Sequence, residues 1–266
     1  MLRPASSARP APLTRPMTWT LVSAAILVQI IYPLTPDGTR TSITVLSVLV
    51  FASAVLADVV GHHGLRGAGM LLLVAGGGGL FAEALGVHTG FPFGHYSYTG
   101  TLGPQLLGVP LVVPFAWVMM AWPALVVGRA VGRRRVAVAV LGAWALASWD
   151  VFLDPQMVAA GHWRWATPDP GLPLVPGVPL TNYAGWLLVA VLMISLMDRV
   201  LEPTPGPSGP AAALYLWTYG SSVLAHLAFF GLPGSAVVGG LLMGLIALPF
   251  ACSLLRDHLS STSNSR

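Results

Sequence analysis

Residues 136–165 read VAVAVLGAWALASWDVFLDPQMVAAGHWRW. From Val136 to Trp149 no residue is charged, and the run continues apolar around Asp150 until Asp154 and Pro155. A bilayer crossing needs about 20 mostly apolar residues, and this stretch supplies them. A Gly-His-Trp-x-Trp segment follows at 161–165. The stretch predicts a membrane-spanning helix that carries two carboxylates in its last turns, where hydrocarbon surroundings make a charge costly.

The rest of the chain agrees with that beginning. Of 266 residues, 55 % are hydrophobic and 8 % charged, against about 25 % charged in soluble domains. The mean hydropathy is +0.75. So few charges cannot cover a soluble fold of this size, and a disordered or collagen-like chain is excluded as well. All 13 basic residues are arginine. The net charge of +4 then reflects membrane topology rather than nucleic-acid binding. The single cysteine, Cys252, excludes an internal disulfide, a thiolate zinc site, an iron–sulfur cluster and covalent haem attachment.

Eight stretches are long and apolar enough to span: 17–34, 41–60, 67–87, 109–131, 136–154, 182–201, 211–230 and 235–255. The expected fold is an all-α polytopic bundle forming one transmembrane domain, 17–255, between tails at 1–16 and 256–266. Residues 203–210 read as a linker and 260–266 as a disordered end. With the N-terminus inside, Arg3, Arg9, Arg15, Arg66, Arg129, Arg133, Arg134, Arg135, Arg199, Arg256 and Arg266 share the inner side. Only Arg40 and Arg164 then lie outside. This asymmetry predicts cytoplasmic termini in a bacterial inner membrane. The outer loops 88–108 and 155–181 are long, nearly uncharged and rich in Gly, Pro and aromatic residues. Such segments at a membrane surface usually line something.

An internal repeat emerges from those loops. Glu83 precedes Gly94-His95-Tyr96-Ser97-Tyr98 by the interval at which Asp150 precedes Gly161-His162-Trp163-Arg164-Trp165. Gly108-Val109-Pro110-Leu111 leads to Trp117 as Gly177-Val178-Pro179-Leu180 leads to Trp186. The halves, about 67–131 and 136–201, each hold one hairpin, spans 3–4 and spans 5–6. Both hairpins run in the same sense, which predicts parallel repeats about an axis along the membrane normal. The repeated Trp and Pro positions are expected to serve loop entry and the interfacial aromatic belt.

Glu83, Asp150 and Asp154 are the candidate catalytic residues. Asp150 and Asp154 share a helix face, and Pro155 is expected to end the helix beside them. Desolvation, like charge and the negative helix end all work against two bare carboxylates there, so one acid can serve as a proton donor. His95, Tyr96, Tyr98, His162, Trp163, Trp165, Asn182 and Tyr183 are the candidate substrate-binding residues. Asp198 and Glu202 are expected to be solvated. Asp58, beside His62 and His63, reads as a solvated turn rather than a metal site.

Three segments, FGHYSYTGTLGPQLLGVPLVVPFAW at 93–117, WDVFLDPQMVAAGHWRW at 149–165 and GVPLTNYAGW at 177–186, resemble the CruF-type carotenoid hydratases, a group of multi-span carotenoid biosynthesis proteins. The resemblance covers residues 81–190 well. It implies addition of water to the terminal C1–C2 double bond of an acyclic carotenoid end, giving a tertiary 1-hydroxyl. The implied substrate is a C40 or C50 carotenoid drawn from the bilayer. The expected partners are membrane lipid and other enzymes of carotenoid synthesis, with no nucleic acid. The chemistry asks for an acid, a shielded tertiary cation and a held water, and for no metal or organic cofactor. Two alternatives are weighed against it. One is an intramembrane prenyltransferase of the UbiA kind, in which Asp150 and Asp154 would hold magnesium diphosphate, although a second Asp-rich motif is missing. The other is a transporter or carotenoid-binding protein without catalysis.

Overall fold

A computed structural model describes residues 14–263 of the chain. The outermost tail residues, 1–13 and 264–266, lie outside the described residues, and with them Arg3, Arg9 and Arg266. The fold is a membrane-type helix bundle. Among the described residues six helices are long and apolar enough to cross a membrane.

The helices are α1 (Thr14–Ile31), α2 (Asp37–Leu71), α3 (Gly78–Thr89), α4 (Val113–Val131), α5 (Arg135–Ala159), α6 (Leu180–Val200), α7 (Gly209–Ala228) and α8 (Pro233–Ser263). A wider π-type turn, Leu72–Gly77, joins α2 to α3 without a loop. Within α2 the helix breaks at Gly64, whose φ of 66° suits glycine and few other residues. Helix α8 continues through Ser263, so most of the segment expected as a disordered end extends the last helix.

Helix α4 is the centre of the bundle: 72 % of its span is buried, against 22 % for α1. Trp117, Trp122, Met120 and Leu125 on α4 are fully enclosed. Between helices in lipid, close packing rather than water exclusion supplies the attraction, and small residues permit it. Gly79 shows the effect: a Cβ there would stand 2.5 Å from the Trp117 ring. The Gly76–Gly79 run therefore lets α4 press its indole against α3.

The two aromatic loops fold onto each other. Strand β1 (Tyr96–Tyr98) pairs antiparallel with β4 (Trp163–Trp165), with Ser97 opposite Arg164 and Tyr96 opposite Trp165. Two further hairpins, β2 (Gln105–Leu106) with β3 (Val109–Pro110) and β5 (Gly171–Leu172) with β6 (Val175–Pro179), lead into α4 and α6. The span expected from 109 consequently starts as helix only at Val113.

Two other expectations change. Pro155 lies inside α5, which runs on to Ala159. Proline removes one N–H and crowds one carbonyl, a disruption that this last turn tolerates; Asp154 therefore sits within the helix rather than at its end. Asp58 is not solvated either. It is 3 % exposed, and its Oδ2 accepts from Trp122 Nε1 at 2.7 Å and Ser208 Oγ at 2.6 Å. Asp198, likewise expected in solvent, pairs with Arg129 at 2.8 Å.

Candidate active site

One cavity of about 350 Å³ occupies the end of the bundle beneath the strand pair. Its walls are rich in aromatic rings: Phe93, Tyr96, Tyr98, Trp117, Trp163 and Trp165 contribute, with Trp149, Phe152 and Trp186 beside them. Glu83, Asp154 and Asn182 bring polar groups to it. Asp150 stands behind Asp154, fully buried.

Glu83 projects from α3 and is held by three neutral donors. Tyr96 Oη donates to Oε2 at 2.5 Å, Tyr98 Oη to Oε2 at 2.8 Å, and Trp117 Nε1 to Oε1 at 3.1 Å. Gly86, one turn along, leaves room for this clasp, since a Cβ there would meet Phe93 at 2.8 Å and the Tyr96 ring at 3.0 Å. Burial, and then the neighbouring Glu83, push both tyrosine hydroxyls well above their ordinary pKa of 10.0. They stay protonated and act as donors.

Asp150 and Asp154 lie one turn apart on α5, within hydrogen-bonding reach of each other. The Asn182 side-chain amide, from the first turn of α6, donates to both: to Asp150 Oδ2 at 2.7 Å and to Asp154 Oδ2. Trp163 Nε1 donates to Asp154 Oδ1 at 3.1 Å. Asp150 Oδ1 is buried without a donor. A carboxylate oxygen so placed is costly unless a proton lies between it and a neighbour.

The other sequence candidates divide. Trp165 lines the cavity and donates to the Phe93 carbonyl at 2.9 Å. His95 is exposed and does not line the cavity. His162 is buried, but its ring meets Thr101 Oγ1 at 2.7 Å and its carbonyl accepts from the Thr99 N–H at 3.0 Å. It braces one loop on the other, and burial lowers its pKa from 6.5. Tyr183 is half-buried beside the aspartates, outside the cavity lining, with its hydroxyl unpaired. Of the two histidines at matching positions, His162 braces the loops through Thr101 and Thr99, and His95 lies at the surface.

The sequence pattern assigns Trp117 and Trp186 to the interfacial aromatic belt. Their rings instead stack at 4.1 Å with planes 13° apart, against the cavity. The signal was present in their equal spacing after Gly-Val-Pro-Leu, but their depth inside the helices was not visible in the spacing. No group of three or more His, Cys, Asp or Glu side chains that could hold a metal occurs among the described residues.

An apolar chamber within a helix bundle, walled by rings and fitted with buried carboxyls, is suited to an apolar substrate and acid–base chemistry. The chain belongs to the carotenoid biosynthesis protein family, whose model matches residues 42–246. It is also similar to a bisanhydrobacterioruberin hydratase of Haloarcula japonica, with 39 % identity over 123 residues. That match spans 44 % of this chain and 40 % of the relative. No solved structure matches.

Proposed function

We propose that the protein is an intramembrane carotenoid hydratase, adding water across the terminal C1–C2 double bond of an acyclic carotenoid end to give a tertiary 1-hydroxyl. The observation that carries this reading is the pairing of an aromatic-walled cavity with two unlike carboxyl sites. The family, and the name of the Haloarcula relative, supply the substrate class.

In this mechanism the Asp150–Asp154 pair shares one proton, as close carboxyls can, and Asp154 delivers it to C2. The alkene electron pair forms the new C2–H bond and leaves a cation at C1. Faces of Tyr96, Tyr98, Trp163 and Trp165 stabilise that cation, by about 2 kcal/mol or more where water is excluded. Water bonds to C1 through oxygen and gives its proton to Glu83. Return of that proton to the aspartate pair closes the cycle, and the net change is addition of one water.

The same reading has eight spans with both termini cytoplasmic. Residues 38–89 form 52 residues of helix, about 78 Å at 1.5 Å per residue, far more than one ~30 Å crossing. The break at Gly64 divides them into two spans. Helix α7, with 20 residues, supplies another. Spans 3–4 and 5–6 are then related by rotation about the membrane normal. Support comes from the strand register, symmetric about Ser97 and Arg164, and from Trp117 stacked on its repeat equivalent Trp186. Reporter fusions at Arg135 and Thr167 should fall on opposite sides of the membrane; the same side for both sinks the topology.

Expression in a bacterium that makes an acyclic carotenoid tests the activity. The expected pigment gains the mass of one water per reacted end, and purified enzyme in micelles keeps its rate after dialysis against a metal chelator. Unchanged pigment, from a protein shown to be folded in the membrane, refutes the hydratase. A rate restored only by magnesium would favour the prenyltransferase class.

A further inference from the structure

The cavity does not close around the acids. Away from them it continues between the last turn of α1, the start of α2 and the last turns of α7, where Gln29, Ser47 and Ser221 line it with Ile30 and Leu224. Ile30 is 46 % exposed and Leu224 61 %, so this end meets what surrounds the bundle, which in a membrane is acyl chain. One polar contact crosses the gap: Trp217 Nε1 on α7 donates to Gln29 Oε1 on α1 at 2.7 Å. Helix α1 is the least buried of the candidate spans among the described residues. The volume, about 350 Å³, lies near the lower end of the roughly 300–1,000 Å³ that encloses a drug-sized ligand. A polyene of forty or more carbons is longer than such a chamber.

We propose that the gap between α1 and α7 is a lateral entrance for the polyene, latched by the Gln29–Trp217 hydrogen bond, and that the cavity takes one chain end at a time while the remainder stays in the lipid. The proposal rests on the carotenoid reading of the cavity. Two consequences follow from geometry. The far end of the substrate never touches the protein interior, so its structure, cyclic or open, has little influence on the reaction. A substrate with two reactive ends must leave and re-enter reversed, so singly hydrated product is released between the two additions.

A reversible closure tests the entrance. Gln29→Cys and Trp217→Cys are combined with Cys252→Ser, which removes the exposed native thiol, and the pair is bridged by a cleavable bifunctional thiol reagent. Two readouts are taken on the full-length protein in micelles: acyclic carotenoid retained through gel filtration, by its visible absorbance, and hydrated product by mass. The bridged protein should retain at least tenfold less pigment and form at least tenfold less product than the unbridged one. Both should return on cleavage of the bridge, which shows the fold was intact throughout. Equal pigment retention by bridged and cleaved protein overturns the entrance, whatever the catalytic result. Pigment that is retained only when the bridge is open, yet never gains water, leaves the entrance standing and removes the hydratase. With a two-ended substrate, early product should be almost entirely singly hydrated and released from the protein into the micelle phase. Doubly hydrated product from the first turnover overturns the one-end rule.

Discussion

Glu83 on α3 and the Asp150–Asp154 pair on α5 open the two halves of the proposed repeat, yet their surroundings are opposite. Glu83 has two oxygens and three neutral donors, from Tyr96, Tyr98 and Trp117. The aspartate pair has four oxygens and two donor side chains, Asn182 and Trp163, and leaves Asp150 Oδ1 with none. Hydrogen bonds to a charged group are worth about 1.5–3 kcal/mol each, so the donors at the first site favour an anion more than those at the second. The second is complete only with a proton in it. In the proposed mechanism this difference in donors makes Glu83 the base and the aspartate pair the acid. Asp154 has no acidic counterpart four residues after Glu83, where the chain has Val87.

The largest expected effect breaks the acid half. Asp154→Asn keeps the shape and removes the titrating group facing the cavity. Loss of general acid catalysis should lower the rate about 10²–10⁴-fold. Asp150→Asn, one layer behind, should fall within the same range but less far, because Asp154 can still carry a proton. These rates come from product mass in time courses on folded protein. If both variants convert carotenoid near the wild-type rate, the proton comes from elsewhere and the contrast between the two sites has no catalytic meaning.

The second effect sharpens the base half. Trp117→Phe and Tyr98→Phe each remove one donor from Glu83 and leave the ring. If all of a charge-assisted bond of about 1.5–3 kcal/mol is expressed in the barrier, the rate falls about tenfold to a hundredfold. Trp163→Phe, which takes its donor from Asp154, should be milder, since a protonated acid depends less on a donor. Equal losses at Trp117 and Trp163 would erase the difference in charge between the sites.

The sequence made much of this legible, and its limits were physical. Apolar runs and the carboxylates inside them are local properties, so the membrane bundle and the burial of all three acids could be read directly. Partners were harder. Trp117 Nε1 reaches Glu83 from 34 residues away, and Ser208 reaches Asp58 across 150, distances at which composition says nothing about contact. Asp58 therefore looked like a turn residue beside two histidines. Pro155 misled for the reverse reason: a strong local rule gave way because only one turn of helix follows it. The two histidines share a spacing but not an environment: His162 is buried between the loops and His95 is exposed, a difference that the spacing alone does not carry.

The smallest expected effect lies in those loops, and it separates bracing from binding. His95 is exposed outside the cavity, so His95→Ala should leave the conversion rate within about twofold, the range of a surface change of no more than ~0.5 kcal/mol. His162 should matter to stability instead. Burial lowers its pKa below 6.5, so the unfolded chain binds a proton more readily than the folded one. By linkage its contribution to stability is fully present above the unfolded value of 6.5 and is lost as pH falls toward the folded value. Relative to a variant that cannot titrate at this position, the melting temperature of the wild type in micelles should therefore drop as pH is lowered from about 7.5 to 5. His162→Gln, which cannot titrate but can still reach Thr101, should drop less over that interval. A variant with the wild-type slope would show that the imidazole is free to charge in place. A variant of unchanged stability that no longer retains carotenoid would return His162 to the binding site, against the position found for it here.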